Sequence, residues 1–401
     1  MDPVKIEIAL LSHSLPPSPS GQAVALYRLL REFEPGSFCL LSCEDETDKP
    51  SEASAGALQG SLDAKYYYLP GGMPKRSNIR PLRILLHLFN VIQQSWQRAL
   101  QVKKILQQEN CVALVACTGD LIDIPAGFLA SQMAHIPFYA YIFDDYVFQW
   151  TGNYRQFAKL VAPFIFKHSS GVIGPNEYIC EEYKRRYNIS PTLVRNPCDK
   201  DELEKEPYPQ WPSESGKIKI IYTGAIYHAN FDCFRNLIKA MDFLKEYKSE
   251  LHLFTAQTRD ELEGQDIKSE RIFVHSHVPY RDIFEQQREA DILFLPLSFE
   301  SPIPEVIRTS APGKMGDYLA SGRPVLAHVP ANSFVAYYFK KNQCGWIADQ
   351  NNPYHLAIAI ANLISDQESR PTIMRNAFQQ AKIDFSPAIA RDQLLRLMCN
   401  Q

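Results

Sequence analysis

The stretch APGKMGDYLASGRPVLA, residues 311–327, places Pro312, Gly313, Gly316, Gly322 and Pro324 around one carboxylate, Asp317, then enters an apolar run. Immediately before it, DILFLPL (291–297) reads as a buried strand and SFESPIPEVIRTSAPG (298–313) as a loop. Strand, loop, helix and strand in that order form the repeating unit of a parallel sheet. The loop is rich in small and hydroxylic residues: Ser298, Ser301, Thr309, Ser310 and Gly313. A loop feeding a helix start presents free N–H groups and a positive dipole end, where a diphosphate would rest. Asp317, one turn in, could accept from a ribose diol, with Lys314 and Arg308 adding positive charge. A capped helix in which Asp317 only answers the dipole reads equally well.

Outward from that stretch the alternation continues. KIKIIYTG (217–224), ELHLFTA (250–256), RIFVHSHV (271–278) and RPVLAHV (323–329) read as strands. DCFRNLIKAMDFLKEY (232–247), YRDIFEQQREA (280–290), SFVAYYFKKNQ (333–343) and PYHLAIAIANLISD (353–366) read as helices, as does the tail from 369. Residues 199–216, charged and rich in Pro and Ser, read as a linker. On its other side KIEIALLS (5–12), SFCLLS (37–42), YYYLP (66–70), CVALVACTG (111–119), IPFYAYIFD (136–144), SSGVIGP (169–175) and PTLVRNP (191–197) read as strands. Helical patterns at 21–33, 80–108, 124–135 and 176–188 separate them. Uninterrupted apolar strands suit burial on both faces. The expectation is an α/β chain of two Rossmann-like domains: 1–198, a linker at 199–216, 217–380, and a C-terminal helix at 381–401 returning to the first domain. Ligands of such sheets bind outside the carboxyl ends of the strands, so two facing halves would share one cleft.

The 401 residues suffice for two or three domains, and a net charge of −3 gives no basic field for nucleic acid. The nine cysteines are scattered without a C-x-x-C pair, as reduced, mostly buried thiols of a cytosolic protein are. No signal-peptide pattern opens the chain, and no run approaches the ~20 apolar residues of a membrane span. In residues 80–106, Leu82, Leu85, Leu86, Phe89, Ile92 and Trp96 recur at helical spacing among Arg80, Arg83, Arg98, Lys103 and Lys104. Such a helix packs on a sheet or rests on an anionic membrane surface.

In the first half, LSHSLPPSPSGQ (11–22) leaves a strand and enters a helix at Gly21, so Ser20 and Gly21 could offer amides to a phosphate. A plain strand–helix turn explains it too. Asp144 and Asp145 stand at the carboxyl end of a strand, where adjacent residues point oppositely and only one can face a ligand. One could orient an acceptor hydroxyl or take its proton; a helix cap or an ion pair is the alternative. Two adjacent carboxylates make no metal site. His13 could touch donor or acceptor, or pack locally.

APGKMGDYLASGRP resembles the helix written P-S-K-x-x-E-Y-x-A-x-G-x-P in the retaining GT-B glycosyltransferases of glycosyltransferase family 4. LPPSPSGQAVALYRLLREF is similar to that family's N-terminal Gly loop and helix. SSGVIGPNEYICEEYKRRYNISPTLVRNPCD, with Asn196 in its turn, resembles the end of the first domain. IKIIYTGAIYHANFDCFRNLIKAM resembles the start of the nucleotide domain, and DFSPAIARDQLLRLM the returning helix. The resemblance spans essentially the whole chain. It implies a nucleotide-diphosphate sugar, a UDP-sugar in the first instance, held by the second domain, and transfer to an acceptor hydroxyl with retention and without metal or other cofactor. It puts Asp317 on the ribose, and Ser310 and Ala311 where backbone amides meet the donor. Two departures stand out. Thr309 occupies the position of the family's first glutamate, for which Glu305 could substitute. After Gly224 the run is AIYHANF, without the family's Arg and Lys, so Arg259, Arg308 and Lys314 are the candidate cations for the diphosphate.

The expected function is therefore sugar transfer to a saccharide or lipid-linked acceptor by a cytoplasmic protein, with peripheral contact at the inner membrane face through residues 80–106. A nucleotide-sugar epimerase and a non-catalytic nucleotide- or glycan-binding protein are the alternatives. A dehydrogenase is disfavoured, because SHSLPPSPSG holds a single Gly where G-x-G-x-x-G is expected.

Overall fold

The computed structural model describes residues 8–44, 62–71, 83–205, 211–212, 216–275, 278–280 and 282–399, the side chains of residues 83–87 excepted. The described chain forms two compact units. The first runs to Arg195 and regains the chain from Ala390; the second runs from Asn196 to Ile389.

In the first unit the strands are β1 (Ile8–Leu11), β2 (Phe38–Ser42), β3 (Lys65–Tyr68), β4 (Ala113–Cys117), β5 (Phe138–Tyr141), β6 (Gly171–Gly174) and β7 (Thr192–Leu193). They make one sheet in the order β3-β2-β1-β4-β5-β6-β7, every pair parallel. The helices are α1 (Gly21–Leu30), α2 (Arg83–Gln108), α3 (Asp123–Ala134), α4 (Gly152–His168) and α5 (Glu177–Tyr187). β2, β4 and β5 are buried at every position, as helices on both faces require. Caps mark the helix ends: Ser20 accepts from the Ala23 amide and Asn176 from the Ile179 amide, while Asn188 closes α5 in the left-handed region.

α6 (Lys200–Glu204) opens the second unit. Its strands are β8 (Ile218–Thr223), β9 (Ser249–Phe254), β10 (Ile272–His275), β11 (Ile292–Pro296), β12 (Val325–His328) and β13 (Trp346–Ala348), ordered β10-β9-β8-β11-β12-β13 and again all parallel. Between and after them come α7 (Phe231–Phe243), α8 (Arg259–Glu263), α9 (Ile283–Arg288), α10 (Pro304–Thr309), α11 (Lys314–Ala320), α12 (Phe334–Asn342), α13 (Pro353–Ser365), α14 (Arg370–Asp384) and α15 (Pro387–Cys399). Both sheets are Rossmann-like, and in each the strand order reverses beside the first strand, at β1/β4 and β8/β11.

Several segments differ from their sequence reading. Residues 298–313 contain α10, where Pro304 takes the first helical turn, a position that needs no backbone donor. α4 was not anticipated; Gly152 opens it and Pro163 lies inside it, and both interrupt a helical signal. The stretch 199–216 is partly folded onto the second unit. Asp199 caps α6 and accepts from the Tyr280 hydroxyl at 2.8 Å, and Trp211 donates to the Asp291 carbonyl at 2.9 Å. α15 places Ala390 and Leu394, each 3% exposed, in the core formed by Leu10, Tyr139, Tyr141 and Ile173 of the first unit. Residues 5–7, 80–82, 206–210, 213–215 and 276–277, which several sequence readings included, lie outside the described residues.

Candidate functional site

In the second unit the switch point is built by the ends of β8 and β11. β8 stops at Thr223 and the chain turns through Gly224 at φ +118°, a conformation L side chains rarely adopt. A Cβ on Gly224 would lie 2.8 Å from Lys314 Nζ, so a side chain here would push the ammonium aside. Lys314, the first residue of α11, donates to the Tyr222 hydroxyl at 2.7 Å and sits 3.9 Å from the centre of that ring. The Tyr222 hydroxyl in turn donates to the Ala225 carbonyl at 2.6 Å and accepts from Asn230 Nδ2 at 3.2 Å. Desolvation lowers the Lys314 pKa to about 7, against the pull of the nearby Asp317 charge. Asp317 lies one turn along α11 and is 7% exposed.

α11 is locked beneath the strand end. The Tyr318 hydroxyl accepts from the Thr223 amide at 2.9 Å, and Gly316 packs closely, since a Cβ there would lie 3.0 Å from Phe385 and 3.1 Å from Cys198 and push them aside by a few tenths of an ångström. Asn196 donates to the Ala311 carbonyl at 3.3 Å, which brings the Asn-containing turn to the 310–313 loop. Ser310 caps the end of α10 through its amide. Glu305 and Arg308 are half-buried on α10.

Two of the expected second-unit residues take other partners. The Thr309 hydroxyl donates back to the Glu305 carbonyl at 3.1 Å, as a helical threonine does. Arg259 is exposed, donates to the Ile272 carbonyl at the start of β10 and lies 3.9 Å from Glu263, so it is drawn away from the carboxyl ends of the strands. Lys314 is thus the cation that meets Gly224. Tyr222, Asn230 and Tyr318 complete this network and were not singled out from sequence; the one signal was that Tyr222 stands two residues before the strand-ending Gly.

In the first unit, Ser20 Oγ caps α1 and bonds Ser14 Oγ at 2.6 Å, while the space beside Gly21 is open. His13 faces Cys43, with Nδ1 3.4 Å from Sγ, and Glu44, with Nε2 3.3 Å from Oε1. The two adjacent aspartates have different surroundings. Asp145, 2% exposed, caps the Val147 and Phe148 amides at 2.9 Å each and pairs with Arg186, so the fold itself occupies it. Asp144 reaches solvent just past β5, where Thr118 Oγ1 accepts from its amide at 3.3 Å. The protein around it desolvates the carboxylate and, with the Asp145 charge, raises its pKa. No disulfide joins any of the nine cysteines, and among the described residues no helix is long and apolar enough to cross a membrane.

Residues 217–366, which carry Gly224, Lys314 and Asp317, match the family described as glycosyl transferases group 1. The matched stretch covers β8 to α13 of the second unit. No curated protein matches the sequence. Among solved structures, Anabaena HepE in complex with UDP-glucose aligns at TM-score 0.69 and 13% identity, over 98% of this chain and 100% of that one. A glycosyltransferase from Rickettsia africae aligns at 0.67 and 13%, over 98% and 99%. Sucrose-phosphate synthase from Thermosynechococcus elongatus aligns at 0.67 and 12%, over the same shares. At these identities the likeness establishes the fold, GT-B, and the family match falls on the β8–β13 sheet.

Proposed function

We propose that the chain moves a sugar from a nucleotide-diphosphate donor, a UDP-sugar, to an acceptor hydroxyl, with anomeric retention and no metal on the diphosphate. The observation that carries this reading is the meeting of Lys314 with Gly224 and Tyr222 at the β8/β11 switch point of the group 1 domain. Amides of the 310–313 loop and the Lys314 ammonium would take the developing charge of the departing diphosphate. Asp317 would hold the ribose hydroxyls, and Glu305 and Arg308 stand nearby on α10. Asp144 would orient the acceptor, and the leaving phosphate oxygen would receive the acceptor's proton. HepE, named as a complex with UDP-glucose and sharing the fold, supports the donor class.

The test is incubation of the chain with UDP-, GDP- and ADP-sugars, following release of the nucleoside diphosphate. Release with a UDP-sugar and acceptor supports transfer. Conversion of the sugar without acceptor indicates an isomerase, and binding without turnover a non-catalytic protein.

We also propose peripheral contact with the inner membrane face, and hence a saccharide acceptor, free or lipid-linked. On α2, Phe89, Ile92, Trp96 and Leu100 form one stripe, and on the adjoining α4, Leu160 and Phe164 form another; all six are between 45% and 77% exposed. Neither helix contains an acidic residue, while Lys103, Lys104, Arg155, Lys159 and Lys167 lie along them. An apolar stripe flanked by bases alone suits an anionic headgroup layer.

A further inference from the structure

β2, β1 and β4 are adjacent in the first sheet, and a different ligand-type side chain follows each of them: Cys43, His13 and Asp120. One ligand atom from each, His13 nitrogen, Cys43 Sγ and an Asp120 carboxylate oxygen, lies within 4.8 Å of the other two. We infer that these three side chains form a site for a divalent cation of the zinc class at the carboxyl ends of β1, β2 and β4.

The His13 Nδ1 to Cys43 Sγ distance is 3.4 Å. Tetrahedral zinc with bonds of about 2.0–2.1 Å to nitrogen and 2.3 Å to sulfur sets these two ligands about 3.5 Å apart, so the His13–Cys43 pair is already at ligand spacing, and Asp120 would close in from within 4.8 Å. Thiol, imidazole and carboxylate together favour zinc over magnesium or calcium, which take oxygen alone. The supporting residues also match. A ligating imidazole generally gives its second nitrogen to a carboxylate, and His13 Nε2 lies 3.3 Å from Glu44 Oε1. Ligating carboxylates are themselves held by donors. Asp120 Oδ1 accepts from the Ile122 and Asp123 amides at 2.7 and 2.6 Å, and Oδ2 accepts from Arg98.

The backbone is fixed to match: Ser42 Oγ donates to the His13 carbonyl at 2.9 Å and accepts from the Glu44 amide at 3.0 Å. His13 and Glu44 side chains are 37% and 39% exposed, which gives an ion a path in. Binding displaces the Cys43 thiol proton to solvent. Three protein ligands leave the fourth position to a water or another oxygen ligand. The ion would tie together the three strand-end loops that follow β1, β2 and β4.

The test uses the full chain, stripped with chelator, reloaded with zinc or cobalt and desalted. We expect one retained equivalent of zinc by elemental analysis, and a near-ultraviolet thiolate-to-cobalt band with Co2+. Cys43→Ser and His13→Gln should each abolish retention and the band, and Glu44→Gln should weaken binding about 10-fold. Thermal melts check folding, since these side chains are half-buried. No retained zinc, or equal retention by Cys43→Ser and His13→Gln, overturns the assignment. The readout is metal content, so it is decided separately from sugar transfer.

Discussion

Lys314 Nζ is held 2.7 Å from the Tyr222 hydroxyl and directly above that ring, at the point where Gly224 turns the chain out of β8. A cation thus joins the helix start to the strand end, beside the Tyr318 hydroxyl that accepts from the Thr223 amide. Replacing Lys314 by Met should lower the rate of nucleotide release ~100- to 1000-fold, the cost of losing one preorganised donor to a developing anion. Steady-state assays with a UDP-sugar read this directly, and circular dichroism checks that the fold persists.

Burial holds the Lys314 pKa near 7, well below its ordinary 10.5. Below about pH 7 the side chain is charged in the free protein; above it, neutral. Affinity for UDP should therefore fall as pH rises from 7 to 9, at most ~10-fold per unit, with proton uptake on binding. Titration calorimetry in two buffers of different ionisation enthalpy measures that uptake, and the Lys314→Met variant should show neither effect. In the ligand-free chain the unfolded state binds this proton more tightly between pH 7 and 10.5. Its contribution to stability therefore rises with pH across that window.

Gly224→Ala should cost ~1–3 kcal/mol, because the residue must adopt φ +118° with a side chain. The new Cβ also displaces Lys314, so UDP affinity falls together with the melting temperature. Thermal melts with and without UDP separate the two effects.

The two neighbouring aspartates should respond in opposite ways. Asp145→Ala removes a buried partner of Arg186 and the oxygen that accepts from two amides, and should destabilise the first unit by ~3–5 kcal/mol in urea denaturation. Asp144→Asn should leave the melt within a degree or two. It should reduce transfer ~100-fold or more if the carboxylate serves the acceptor.

Trp96→Ser combined with Phe164→Ser should abolish co-sedimentation with phosphatidylserine-containing vesicles. Both side chains are exposed, so folding and turnover with a soluble acceptor should be retained. Binding to neutral vesicles should be weak, and high salt should reduce what remains.

The alternation of apolar strands with helical periods was enough to read two parallel sheets, because burial on both faces leaves an uninterrupted signature. The 311–327 run also disclosed the helix α11, on which Lys314 and Asp317 lie, and the strand β12 that follows it. What escaped was set by contacts between distant residues or by misleading local chemistry. Arg186 lies far along the chain from Asp145, and no spacing announces their pairing. Tyr222 reads as one more apolar strand residue until α11 arrives above it. Pro302 and Pro304 read as loop punctuation although one of them begins α10. Pro163 likewise obscured α4, and with it Leu160 and Phe164 of the exposed apolar surface. Arg259 is a cation in the expected neighbourhood whose side chain is claimed by Ile272 and Glu263.

Because Ala390 and Leu394 of α15 fill the core beneath Tyr139 and Tyr141, the first unit is discontinuous in the chain. During synthesis its sheet must wait, with that apolar floor bare, until the whole second unit has been translated. A fragment ending at Arg195 should accordingly aggregate, and adding a peptide of residues 386–399 should rescue its solubility.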